Sequence, residues 1–292
     1  MDRTVIVAGG MGLATARIMG RDHHVVLTDV REDPLASAVA DLESSGIRAR
    51  YVVADITDRG SVDALFATSA ASAPVRAVVH AAGVSPQMGS AEKIIKINAV
   101  GTINITEASL AAAGEGFALV NVASIAGHML PSVMVPRRTY RLATRDVEEF
   151  TRKMIANASR GPARVHPGSA YSLSKNFIIR HSADRAGAFG ARGARILSVS
   201  PGSFDTEMGR LEEKSGSARL LEFAALKRFG LPGRDRGTAG LLRRRQTGLS
   251  HRHRHPVRRR HQGRTGHQRH AGNDSRRLNP DLHPRVAHLP TS

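Results

Sequence analysis

A tyrosine and a lysine stand four residues apart in Ser169-Ala170-Tyr171-Ser172-Leu173-Ser174-Lys175. On a helix that spacing puts both on one face. A phenol titrates near about 10 and is a poor base at neutral pH. A neighbouring ammonium stabilises the phenolate, and further positive charge adds to the effect. Tyr171 can then take a proton from an alcohol, or return one to it. By itself the pair is also what a solvated helix face provides. A second group is the turn Ala8-Gly9-Gly10-Met11-Gly12-Leu13-Ala14. Glycines let a backbone approach a pyrophosphate, and the N–H groups of a helix start bind it. A tight turn with no ligand has the same look, so position decides.

The elements that would carry these residues follow from the apolar pattern. Strands are expected at Thr4 to Ala8, His24 to Thr28, Arg50 to Val53, Val75 to His80, Phe117 to Val122 and Arg195 to Val199. Helices are expected from about Gly12, at Leu35 to Leu42, Val62 to Ala67, Ala91 to Ala113 and Ala170 to Ala186. Strand-helix alternation predicts an α/β fold, a Rossmann-type doubly wound parallel sheet in three α/β/α layers. The glycine turn falls between the first strand and the first helix. Asp29 ends the second strand, 17 residues after Gly12. A carboxylate there accepts hydrogen bonds from both adenosine ribose hydroxyls and repels a 2′-phosphate, which favours NAD over NADP. Arg31 works slightly against that preference.

Residues 3 to about 232 resemble the short-chain dehydrogenase/reductases, with the matching segments in order. The turn Gly9, Gly10, Met11, Gly12 resembles the family's glycine-rich loop, and Asp55 its adenine-contacting acid. His80-Ala81-Ala82-Gly83 resembles the N-A-G-type segment, with His in place of Asn. Asn98, Ser124, Tyr171 and Lys175 match the catalytic set, and Pro201, Gly202 and Thr206 the segment that holds the nicotinamide carboxamide. The resemblance implies hydride transfer between NAD(H) and a secondary alcohol or ketone. Tyr171 would move the proton, Ser124 would hold the substrate oxygen, Lys175 would bind the ribose and Asn98 would hold a water. It also implies a small-molecule substrate and a homodimer or homotetramer.

Two departures stand out. The glycine loop is shorter than the family's. Between Ser124 and Tyr171 lie 46 residues where about a dozen is usual. Some hydroxysteroid dehydrogenase/carbonyl reductase members carry an insertion there. The 125–170 segment, with a helix near Asp146 to Ile155, is either a pocket wall or altered oligomer interface, or a surface excursion. His128 and Met129 follow Ser124 and would line a substrate pocket. Phe204 to Leu226 resembles the family's substrate-binding loop, with an apolar character.

Composition bounds the remaining possibilities. The 292 residues are 41% hydrophobic and contain no Cys, which excludes disulfides and thiolate metal sites. No apolar run reaches the roughly 20 residues of a membrane helix, and no metal site or secretory signal is read. A cytoplasmic protein with no membrane partner is the expectation. The net charge of +18 suggests nucleic acid at first sight. Yet residues 233–292 hold 15 Arg, no Lys and 3 Asp, net +12. That tail is a nucleic-acid arm, a segment without a role, or a product of the wrong reading frame. Shifted by one base, Gly233 to Gly263 can be back-read to continue Arg228-Phe229-Gly230-Leu231-Pro232 into the family's E-E-I-A and L-T-G…D-G-G ending. The expectation is a 1–232 dehydrogenase domain lacking its last strand and a disordered, out-of-frame basic tail, with low stability and weakened assembly. A catalytically impaired dehydrogenase fold, or a basic-tail nucleic-acid binder, are the alternatives.

Overall fold

A run of β-branched residues starts the chain. Thr4, Val5, Ile6 and Val7 with Ala8 form β1 (Thr4–Ala8), buried throughout. Burial on both sides is what a central parallel strand requires. The structure, a computed structural model, describes residues 3–9 and 12–202. The chain continues through α1 (Gly12–Met19), β2 (His24–Asp29), α2 (Glu32–Ser44), β3 (Ala49–Val53), α3 (Arg59–Ala70) and β4 (Val75–His80). It then forms α4 (Ala91–Ile95), α5 (Gly101–Ala112), β5 (Ala118–Val122), α6 (Arg137–Tyr140), α7 (Val147–Ala158), α8 (His166–Gly190) and β6 (Arg195–Val199).

Six strands lie in the order β3-β2-β1-β4-β5-β6 among the described residues, and every neighbouring pair is parallel. The order reverses between β1 and β4. Their carboxyl ends therefore open a crevice, the place where such sheets bind ligands. Alternate residues of each strand feed opposite faces. Val5, Val7, Val25, Leu27 and Val79 meet Met19, Leu35 and Leu42 on one side. Ile6, Val26, Val78 and Leu119 meet Leu65, Phe66, Ile105 and Phe189 on the other. The result is the expected three-layer Rossmann-type sheet.

Three strands, β1, β4 and β6, have the expected bounds, and the helices run longer than their apolar stripes. The stretch Ala91 to Ala113 is not one regular helix. A π-helical turn at Lys96–Val100 separates α4 from α5 and contains Asn98. Helix α8 begins before Ala170, at His166, because Pro167 suits a first helical turn. The 125–170 segment is a packed layer. Phe150, Met154 and Ala158, one turn apart on α7, are fully buried with Tyr140 and Ala143 against Ile94, Ile95, Leu173 and Phe177. Asp146 caps α7 by accepting from Glu149 N at 2.8 Å. No described helix is long and apolar enough to cross a membrane. The expected loop at Phe204 to Leu226 and the tail at 233–292 lie outside the described residues.

Candidate active site

The crevice between β1 and β4 is closed at its floor by two backbones in contact. Gly9 has φ +91°, and a Cβ there would stand 2.6 Å from Ala82 backbone atoms. Gly12 N donates to Gly9 O at 2.9 Å, which closes the turn and starts α1. A Cβ on Gly12 would run into Val7 Cγ1. Glycine is thus required at both positions, one for its backbone angle and one for helix-on-strand packing. This cradle fits a dinucleotide phosphate beside the N-terminus of α1. Gly10 and Met11 lie outside the described residues.

Asp29 stands at the carboxyl end of β2, where a ribose-binding acid belongs. Its Oδ1 accepts from Arg31 N at 3.2 Å, and the Arg31 Nε lies 3.8 Å from the same oxygen. Asp55 Oδ1 accepts from both the backbone N and the hydroxyl of Thr57 at 2.8 Å, which turns the chain after β3. Gly83 lies beside Asn98 and Lys175. A Cβ on it would be 3.0 Å from Asn98 Oδ1 and 3.6 Å from Lys175 Nζ. Ala82 packs beside Gly9, so the segment after β4 borders both the phosphate cradle and Lys175.

The Ser124 and Tyr171–Lys175 segments meet through α8. Lys175 is buried, and its Nζ donates to Val122 O at 3.1 Å, at the end of β5. The same Nζ is 5.7 Å from the centre of the Tyr171 ring. One turn of helix thus brings ammonium and phenol together, as the four-residue spacing predicts. Ser124 follows β5 and caps the short turn Ile125–Gly127, its Oγ accepting from Ala126 N at 3.2 Å. That turn lies directly on α8. A Cβ on Gly127 would be 2.7 Å from the Lys175 carbonyl carbon. Asn176 Nδ2 donates to Gly127 O at 2.8 Å and fastens the contact. Pro201 O accepts from Ile125 N at 3.0 Å, so the segment after β6 closes over the same turn. Gly202 is exposed beyond it, and Thr206 lies outside the described residues.

Asn98 is buried at the π-helical turn. Its side chain forms a two-way bridge to Val84, accepting from N at 2.8 Å and donating to O at 3.0 Å, and it also donates to Ser174 Oγ at 3.3 Å. It therefore joins the β4 loop to α8. The Thr102 hydroxyl donates to Asn98 O at 2.7 Å and lies 3.1 Å from His80 Nε2. The hydroxyl's one proton is used, so His80 Nε2 carries the hydrogen and donates to Thr102. His80 Nδ1 is buried with no partner among the described residues. Burial first, and the Lys175 ammonium second, push the His80 pKa down to about 3, so the ring is neutral.

The side chains singled out in the sequence come together here, but the contacts that hold them are not signalled by it. Asn176 makes one. Tyr140 makes another: its hydroxyl lies 3.1 Å from Leu173 O and 3.2 Å from Asn176 Oδ1, fastening the 125–170 layer to α8. Asn176 adjoins Lys175 in sequence, but nothing in the sequence signals Tyr140. His128 Nε2 lies 2.9 Å from Ser200 Oγ, and Met129 is exposed.

The comparisons with known proteins agree with this geometry. The family model for short chain dehydrogenase matches residues 3–160. The chain is similar to the short-chain dehydrogenase/reductase bsc3 of Alternaria brassicicola, 27% identical over 226 residues, 74% of this chain and 78% of that protein. It is similar to the 3-alpha-hydroxysteroid dehydrogenase/carbonyl reductase of Comamonas testosteroni, 25% identical over 211 residues, 70% of this chain and 74% of that one. A short chain dehydrogenase from Burkholderia cenocepacia, solved with NADP, superposes with a TM-score of 0.62 at 21% identity, over 82% of this chain and 88% of that one. The chain belongs to the short-chain dehydrogenase/reductase family, oxidoreductases that use nicotinamide cofactors.

Proposed function

We propose that the protein interconverts a secondary alcohol and a ketone with NAD(H), using Tyr171, Lys175, Ser124 and Asn98. The observation that carries this reading is the convergence on α8: buried Lys175 beside the Tyr171 ring, with the Ser124 turn held against the Lys175 backbone. The cofactor, when bound, takes or gives the hydride. Tyr171 accepts the alcohol proton during oxidation and returns it during reduction. Lys175 favours the phenolate by its charge. Ser124 donates to the substrate oxygen and stabilises the charge that develops there. Asn98 keeps the β4 loop and α8 in register, and in the family's pattern it orders a water beside Lys175. Gly9, Gly12, Asp29, Asp55, Ala82, Gly83, Pro201 and Gly202 line the cofactor's course, with Gly10, Met11 and Thr206.

The preference for NAD rests on Asp29. Its neighbour Arg31 is the feature that supports NADP, so parallel titrations with NADH and NADPH test the preference. Residues 1–232 form the dehydrogenase domain in this reading, residues 233–292 are out of frame, and the protein works in the cytoplasm, its family-type homo-oligomer weakened by the altered C-terminus. Resequencing across the Pro232 codon tests the tail: an intact frame in independent isolates overturns it. Activity is tested by following NADH absorbance with secondary alcohols. The parent protein turns over and Tyr171→Phe does not. Tight NADH binding without turnover in the parent would leave a binding protein of the same fold.

A further inference from the structure

The charge of the first 232 residues is concentrated in one place. They carry 28 Arg and Lys against 22 Asp and Glu, a net +6, and residues 125–170 alone carry eight against three, a net +5. The three acids, Asp146, Glu148 and Glu149, stand together at the start of α7. The cations gather elsewhere. Arg137, Arg138, Lys153 and Arg160 line a cleft of about 520 Å³ between α6 and α7, with Ser132 and Thr139 as hydroxyl donors and no carboxylate in the wall. Lys153 is paired to Glu149 at 3.0 Å. The three arginines have no ion pair among the described residues. Clustered like charge is self-repelling, and a bound anion relieves it. Guanidinium forks match phosphate oxygens two at a time. The volume lies within the range of small-molecule sites, about 300–1,000 Å³.

The cleft borders the apolar layer against which Tyr171 packs: Val135 lines the cleft and belongs to that layer. The chain between Ser124 and Arg137 exposes Ile125, Met129, Val133 and Met134, the last two by 90% and 62%. Apolar side chains thus lie along the chain between the substrate-holding serine and the cationic cleft.

We propose that the cleft is a subsite for the phosphate- or diphosphate-bearing end of the substrate, whose carbinol end faces Ser124 and Tyr171. The inference rests on the reading of Tyr171 as the proton-transfer residue. Two measurements on the full chain separate the two claims. Pyrophosphate is titrated by calorimetry at saturating NADH, so that the cofactor's own phosphate cradle is filled. One pyrophosphate binds, more weakly as salt rises. Arg138→Ala/Arg160→Ala weakens it at least about tenfold, and Arg21→Ala, an exposed control, leaves it unchanged. In the second measurement, secondary alkanols of graded length are compared with and without a terminal phosphate. At the best length the phosphate lowers KM at least about tenfold, and the double variant abolishes that advantage while keeping kcat. Equal pyrophosphate binding by parent and double variant, or no binding, overturns the subsite even if neutral alkanols turn over. Pyrophosphate held in the cleft with turnover of neither alkanol overturns the Tyr171 reading and leaves the anion site standing.

Discussion

At the residue scale, the groups proposed to react are held by buried polar contacts with few substitutes. His80 donates to Thr102, and Thr102 donates to Asn98 O, inside a turn where the helical hydrogen bonding has slipped to π spacing. Such turns occur where a functional side chain must be aimed. Thr102→Val removes the link and leaves the His80 N–H and the Asn98 carbonyl buried without that partner. The cost is about 1–3 kcal/mol of stability for each orphaned group, read from urea unfolding. Turnover falls with it, and Thr102→Ser restores both. Full turnover in Thr102→Val would separate His80 and Thr102 from the positioning of Asn98. Tyr140→Phe tests the other support. It removes a hydroxyl from Leu173 O and Asn176 Oδ1 and costs about 1 kcal/mol. Tyr140 contacts none of the residues read as the phosphate and adenosine sites, so cofactor affinity stays unchanged in a fluorescence titration.

At the element scale, two glycines decide where whole segments lie. Gly127→Ala places a methyl 2.7 Å from α8 backbone, which cannot give way as a side-chain tip would. The Ser124 turn must lift from α8, so kcat falls by at least about tenfold while NADH still binds. Gly9→Ala combines a left-handed φ of +91° with a 2.6 Å approach to Ala82. It therefore weakens NADH binding and stability together, which a titration and a melting curve read side by side. These two contrasts also show what the sequence could reveal. The strands were legible because each is a short, mainly apolar run set between polar or helical stretches. Tyr171 and Lys175 were legible because their spacing is local. The grip of Asn176 on Gly127, 49 residues away, and of Tyr140 on Leu173, 33 residues away, depends on the folded path of the 125–170 layer. No local pattern encodes it. The π turn was hidden for a different reason: Ala91 to Ala113 has helical hydrophobicity on both sides of a one-residue slip.

At the scale of the whole molecule, two buried neutral histidines tie stability to pH. Burial and then Lys175 push His80 down to about 3, and burial and then Arg185 push His181 down to about 4. His181 stacks on Phe177 with ring centres 5.0 Å apart, and Arg185 beside it is paired to Glu107 at 2.8 Å. Both rings bind a proton in the unfolded chain at a pKa near about 6.5. The folded state binds fewer protons than the unfolded one below that value. Their contribution is therefore fully present above about pH 6.5 and is lost as pH falls toward the folded values. The window from about pH 6.5 down to about pH 5 is where these histidines act on the slope. In that window the unfolding constant rises by up to roughly tenfold per pH unit for each histidine. His181→Phe keeps an aromatic ring against Phe177 and removes one titrating group, so the slope of the urea midpoint against pH becomes shallower, with His80 and the half-buried His23, also lowered by burial, carrying the remainder. A midpoint that stays flat from pH 7 to pH 5 in the parent protein would mean that neither ring is held neutral by the fold.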